Sequence, residues 1–228
     1  MRYCEIAPSP AFADSIECFW STAAEAGETT HRVSPDGCAD IVLSSDGPML
    51  VGAMTAFQDV SNCGVTVGVR FRPAMWPAQF RIPAHRLTDR IVPLEDLWGS
   101  RAHALRDRVD PEAGIDQIAR VFESMLQPVP AANPFQLAVH WMQRHHGAVA
   151  MDDLARRAGL SVRQLRRVSL EQAGLSPKFL ARVLRFRRAA SRLGSDAAAG
   201  LALECGYYDQ AHFINEFREF SGRTPSSI

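Results

Sequence analysis

Residues 206–227 read GYYDQAHFINEFREFSGRTPSS, and residues 154–189 read LARRAGLSVRQLRRVSLEQAGLSPKFLARVLRFRRA. The two stretches are degenerate copies of one unit. Leu154, Ala155, Ala158 and Gly159 recur as Leu201, Ala202, Cys205 and Gly206, an offset of 47. One inserted residue later, Leu165, Gly174, Ser176 and Pro177 recur as Phe213, Gly222, Thr224 and Pro225, an offset of 48. In each copy a short helical run, Leu-Ala-x-x-small, stops at a glycine, the residue that tolerates the left-handed conformation ending a helix. A second helix then starts at an N-cap, Ser161 in the first copy and Asp209 in the second. Ala155 and Ala202 are small enough to let that second helix cross closely. A short helix, a tight glycine turn and a longer helix describe the helix-turn-helix that reads DNA; a hairpin in an ordinary helical bundle has the same pattern when it occurs once.

Charge bears on that choice. Residues 1–133 hold 11 Lys and Arg against 17 Asp and Glu, a net −6, whereas residues 134–228 hold 14 against 8, a net +6. From Arg156 to Arg192, eleven cations face only Glu171. A block of that sign attracts a polyanion, and a solvated basic helix face is the plainer alternative. Between the copies, Pro177–Arg192 opens with proline at the first helical position and mixes Leu180, Val183 and Leu184 with Arg182, Arg185, Arg187 and Arg188. The apolar residues are expected in the core, and the arginines, Arg187 among them, on DNA phosphates. A helix of this length spans roughly 24 Å. With helix width added, its ends can hold two recognition helices about 34 Å apart, one turn of B-DNA.

The stretch from Gly206 to Ser227 closely resembles the second helix-turn-helix of the AraC/XylS family of transcription regulators, and Leu154–Ala189 resembles its first helix-turn-helix and connecting helix. The resemblance covers about Phe135 to Ile228. It implies an all-α, seven-helix DNA-binding domain over 134–228 that inserts both recognition helices into successive major grooves. It also implies an activator that recruits RNA polymerase beside a promoter. The base-reading positions carry over to Arg163, Arg166 and Arg167 in the first recognition helix, and to Gln210, Ala211, His212, Ile214 and Asn215 in the second. Arginine suits bidentate contact with guanine, and Gln210 and Asn215 suit adenine. Ala211 and Ile214 offer apolar contact to thymine methyls. Phe213, Phe217 and Tyr207 are expected in the core. Two positions depart from the family: Ser169 stands where a core Phe is common, and Asn215 where a basic residue is common. A buried hydroxyl needs a partner, so the first helix is expected to sit less rigidly, with Leu170 or Val168 compensating.

The segment Gln127–Pro134, QPVPAANP, marks a boundary, because its three prolines forbid a continuous helix. Before it, Ile16–Thr22, Asp40–Leu43, Met49–Ala53 and Val65–Arg72 read as strands. Leu94–Arg108 and Pro111–Gln127 read as helices, the second capped by Asp110. The fold class is therefore α+β: a β-rich domain over 1–130 with helices at its end, then the helical domain. PDGCADIVL (35–43), VGVRFRP (67–73) and LTDRIVPLEDLWG (87–99) look like the small cupin-like N-terminal domain of many members of the family. That likeness implies a sensing or dimerising role, with contacts of a homodimer on the two helices. In Val67–Arg72, alternation puts Val67, Val69 and Phe71 on one face and Arg70 and Arg72 on the other. If the arginines line a pocket they suit a carboxylate or phosphate effector; a solvated arginine face is the competing reading. Cys38, His31 and Trp20 complete the effector candidates. Cys38, Cys63 and Cys18 are candidates for redox or soft-metal sensing, against the plainer reading of small core residues. His31, Asp36 and Asp40 could bind a metal if brought together, but loop caps are the plainer reading of both aspartates.

No cofactor or metal is expected, since the five cysteines are scattered with no CxxC pair. No apolar run reaches eighteen residues and no signal peptide is evident, which places the chain in the cytoplasm and off the membrane. An enzyme is not expected, with double-stranded DNA and a small-molecule effector as the expected partners. Two alternatives compete: a DNA-repair protein with a methyl-accepting cysteine, and an interaction protein with a degenerate helix-turn-helix.

Overall fold

Strand β7 (Val65–Phe71) lies inside a six-stranded antiparallel sheet of order β1 (Arg2–Ile6), β2 (Ile16–Ala23), β7, β4 (Ala39–Ser44), β5 (Gly47–Val51), β8 (Ile91–Pro93). A separate ribbon pairs β3 (Thr29–Val33) with β6 (Gln58–Asn62). This arrangement comes from a computed structural model that describes residues 2–24, 29–62, 64–130, 133–193 and 198–227. Val67, Val69 and Phe71 are fully buried, as their alternation requires. Helices α1 (Pro77–Phe80), α2 (Glu95–Trp98), α3 (Ser100–Arg108) and α4 (Ile115–Met125) follow. Phe122 of α4 stacks on Phe19 of β2, ring centroids 6.0 Å apart, closing the sheet's apolar face.

Two boundaries differ from expectation. The single helix anticipated over Leu94–Arg108 is broken at Gly99, whose φ of +55° interrupts the ladder between α2 and α3. The next helix begins at Ile115 rather than Pro111, with extended Gly114 as N-cap. Asp110 caps a turn instead, accepting from the Glu112 amide at 3.0 Å. The boundary segment behaves as its prolines dictate: α4 ends at Met125, and α5 (Pro134–Arg144) starts with a capping box in which Asn133 and Gln136 satisfy each other's amides.

The helical part continues with α6 (Met151–Arg157), α7 (Val162–Ala173), α8 (Pro177–Arg192), α9 (Ala198–Glu204) and α10 (Gln210–Ser221). Among the described residues it holds six α-helices and a closing 3-10 turn at Pro225–Ser227, where the resemblance implies seven helices. Helix α8 serves two cores. Leu180 and Leu184 pack with Leu154, Ala155, Leu165 and Met142, whereas Val183 and Phe186 pack with Leu201, Ala202, Phe213 and Phe217. Each fully buried Leu or Phe contributes about 1.5–3 kcal/mol, so α8 couples the two units along most of its length. Ala53 and Ala74, from the β-rich part, belong to the first of these cores. No described helix is long and apolar enough to cross a membrane.

Candidate nucleic-acid interface

Each unit folds on the devices its sequence encodes. In the first, α6 runs into Gly159 at φ +63°, and Ser161 opens α7 with a capping box: its hydroxyl accepts from the Gln164 amide and Gln164 Oε1 accepts from the Ser161 amide. In the second, α9 runs into Gly206 at φ +80°, and the Asp209 carboxylate accepts from the His212 amide at 2.7 Å. Both second helices stop at left-handed glycines, Gly174 and Gly222.

This geometry turns one row of each second helix outward. On α7, Leu165, Ser169 and Ala173 face inward while Arg163, Arg166 and Arg167 are exposed. Arg167 Nη1 lies 3.0 Å from Glu171 Oε1; Arg163 and Arg166 make no ion pair or hydrogen bond among the described residues. On α10, Gln210, Ala211, His212 and Asn215 are exposed and Ile214 is half-buried, while Phe213, Phe217 and Tyr207 are buried as expected. His212 is partly engaged, its ring 5.3 Å from that of Tyr207 and its Nε2 3.8 Å from Glu216 Oε2. The partner that a buried Ser169 hydroxyl needs is present. Ser169 is fully buried, and its hydroxyl donates to the Leu175 carbonyl at 2.7 Å and ties α7 to the turn that follows it.

The arginines of α8 are another matter. Arg182 donates to Glu216 at 2.6 Å and to Glu219, joining α8 to α10. Arg185 donates to the Gly206 carbonyl at 3.0 Å and lies over the Tyr207 ring. Arg192 pairs with Glu204 at 2.6 Å. Arg187, expected on phosphate, reaches into the β-rich part, where it pairs with Glu17 and donates to the Asp36 carbonyl. Burial pushes the Glu17 carboxyl up, but Arg187 outweighs it and holds the group below its ordinary value. A guanidinium committed in this way is not free for a phosphate. Glu216 went unnoticed in the sequence although it is only 3 % exposed; its place on the Phe213, Phe217 and Phe220 stripe was the available signal. Tyr208 was also passed over, and it stands 87 % exposed in the turn before α10.

The effector candidates divide. Trp20, Arg70 and Cys38 come together, while Arg72 donates to the Ala13 carbonyl at 3.0 Å and His31 lies on the β3–β6 ribbon. Trp20 Nε1 donates to Asp40 at 2.7 Å, and Arg70 Nε lies 3.3 Å from both Asp36 and Asp40. Asp36 caps a turn as expected, accepting from the Cys38 amide. Asp40 does not cap a loop; it sits on β4, and burial pushes its carboxyl up to about 6 against the pull of Arg70. Two aspartates therefore already occupy Arg70. Cavities of about 230 Å³, beside Trp98 and Arg101, and about 330 Å³, beside Trp141 and Arg157, are lined by none of the five candidates. Burial pushes the Cys18 thiol up to about 12 and the Cys38 thiol well above its ordinary value. Protonated thiols are poor nucleophiles and poor metal ligands, which counts against Cys18 and Cys38 in either role. Cys63 lies outside the described residues.

Two stacked helix-turn-helix units on one connecting helix define the class of the helical part. Residues 154–228 match the family described as a helix-turn-helix domain, and residues 4–93 match a domain of unknown function (DUF6597). The transcriptional activator RhaS of Escherichia fergusonii is 32 % identical over 93 residues, covering 40 % of this chain and 34 % of that protein. RhaS of Pectobacterium carotovorum is 30 % identical over 96 residues, covering 41 % and 34 %. The chain thus spans about a third of the length of these relatives. Among solved structures, the DNA-binding domain of AdpA in complex with a target DNA is 24 % identical, covering 42 % of this chain and 89 % of that one, with a TM-score of 0.40. A ToxT variant from Vibrio cholerae is 12 % identical, covering 92 % and 96 %, with a TM-score of 0.46. The C-terminal units are thus those of a helix-turn-helix domain, similar to part of the RhaS transcriptional activators.

Proposed function

We propose that this chain is a DNA-binding transcription regulator that lays α7 and α10 into successive major grooves on one face of a duplex. The observation that carries the reading is the matched exposure of the two second helices. Each has a capped N-terminus and a buried back, and each presents an unburied row of base-reading side chains. Arg163, Arg166 and Arg167 read guanine edges from α7; Gln210 and Asn215 read adenine from α10, with Ala211, His212 and Ile214 alongside. Arg187 leaves the gripping set and becomes a seam residue. A small-molecule effector, a second copy of the chain and RNA polymerase complete the proposal, with the β-rich part as the sensing or dimerising domain over 1–130.

A binding series in rising salt tests it. Phosphate neutralisation makes log K fall linearly with log salt at a slope of about −0.9 per contact. A steep fall is expected. No binding to any duplex at low salt overturns the reading in favour of an interaction protein.

A further inference from the structure

Both recognition helices end against the β-rich part, at positions of the repeated unit that lie within one residue of each other. Helix α7 ends at Ala173, and the carbonyl of its C-cap Gly174 accepts from Thr88 Oγ1 at 2.8 Å. A Cβ placed on Gly174 would meet Thr88 Oγ1 at 2.6 Å and the Ala84 carbonyl at 3.3 Å. Helix α10 ends at Ser221, whose carbonyl accepts from Arg32 Nη1 at 3.3 Å. Gly222 corresponds to Gly174 in the repeat, and a Cβ there would meet Phe57 at 2.7 Å as well as Arg32 Nη1. Arg32 is itself fixed: Asp59 holds its fork through two bonds of 2.7 Å, and its guanidinium lies 4.1 Å above the Phe57 ring. Between these two ends, α8 is pinned at its middle. A Cβ on Gly37 would meet Leu180 at 2.7 Å, and Arg187 pairs with Glu17.

The last carbonyls of a helix carry negative partial charge and lack intrahelical donors. Here one scaffold supplies a donor to the end of each recognition helix and leaves their exposed reading rows uncovered. Moving one unit relative to the other must break a contact at Thr88, at Arg32 or at the α8 seam. We propose that the β-rich part is a brace that fixes the separation of the two recognition helices. Thr88 and Arg32 are then positioning residues that set which spacing between two DNA boxes is accepted, although neither touches DNA. The inference rests on the proposed function above.

The test uses the full chain. Sites selected from random duplexes by the wild-type protein are rebuilt with one, two and five additional base pairs between the boxes, and affinities are measured by fluorescence anisotropy. The wild type is expected to lose more than about tenfold at two added pairs, because a rigid pair of helices cannot follow the displaced groove. The Thr88→Val/Arg32→Met variant is expected to bind the original spacing about tenfold more weakly, because the loosened units must then be ordered on binding. It should lose less than about threefold on the added pairs, while binding a duplex with a single box as the wild type does. Thr88→Val alone, which keeps the β-branched shape, shows the same flattening in smaller degree, and Thr88→Ser retains the steep profile. A uniform weakening at every spacing, or an unchanged steep profile, overturns the brace. A wild-type chain that binds no duplex overturns the functional reading instead.

Discussion

Replacing Arg182 by Met strands a carboxylate. Glu216 is 3 % exposed, its Oε2 accepts from Arg182 Nε at 2.6 Å, and its Oε1 has no hydrogen-bond partner among the described residues. His212, charged only when protonated, lies 3.8 Å from the same oxygen. Removing one member of a buried pair costs about 3–5 kcal/mol, because the remaining charge keeps its desolvation penalty and loses its compensation. Against the 5–15 kcal/mol typical of a folded protein, roughly, that is a large share. The bond from Arg182 to Glu219 adds little, since Glu219 is half-exposed; Glu219→Ala is expected to cost below about 1 kcal/mol. Urea unfolding of wild type, Arg182→Met and Arg182→Met/Glu216→Leu gives the comparison. The single variant should lose about 3–5 kcal/mol and the double variant should recover most of it, since an apolar pair of similar volume carries no desolvated charge. A loss below about 1 kcal/mol for Arg182→Met, or no recovery in the double variant, refutes the reasoning.

Two further outcomes follow from the site. Arg163→Ala should relax preference at one base pair by about 1–3 kcal/mol; Arg187→Met should leave the salt slope of binding unchanged, which titrations at several salt concentrations decide. Asp40 supplies a pH dependence. Its folded-state pKa is pushed up to about 6 by burial, above the ordinary 3.8, so between roughly pH 4 and 6 the folded chain holds a proton that the unfolded chain has released. Its contribution to stability therefore falls as pH rises through that window, by up to about 3 kcal/mol. Asp40→Asn keeps the acceptor for Trp20 and removes this slope, which urea midpoints at pH 4.5 and 6.5 compare; equal slopes in variant and wild type would contradict the assignment.

The parts of the molecule that were legible in the sequence are those whose residues carry their own conformational chemistry. Ser161 and Asp209 are caps wherever a helix follows them, and Gly174 and Gly222 terminate helices because they accept positive φ. The alternation of Val67, Val69 and Phe71 located β7 for the same reason. Strand β1, with its residues mostly exposed, and ribbon strand β6, reading QDVSN, have no such pattern and were invisible. Asp110 misled because an aspartate caps a turn as readily as a helix. The largest misreading concerned the α8 arginines. Counting charge left these cations to DNA or to solvent, but the partners of Arg182 and Arg187 lie 34 and 170 residues away in sequence. Only the fold reveals that these charges are engaged inside the protein, whereas Arg163 and Arg166 on α7 are exposed and without an ion partner among the described residues.

That division between reading helices and internal braces is tested most directly by selecting bound sites from random duplex DNA with three proteins: wild type, Arg163→Ala/Arg166→Ala and Gln210→Ala/Asn215→Ala. The wild type should recover two boxes about one helical turn apart, a G-containing box assigned to α7 among them. The α7 variant should lose that box alone, and the α10 variant the other. Recovery of a single box, or loss of both boxes with either variant, would contradict two helices reading two grooves.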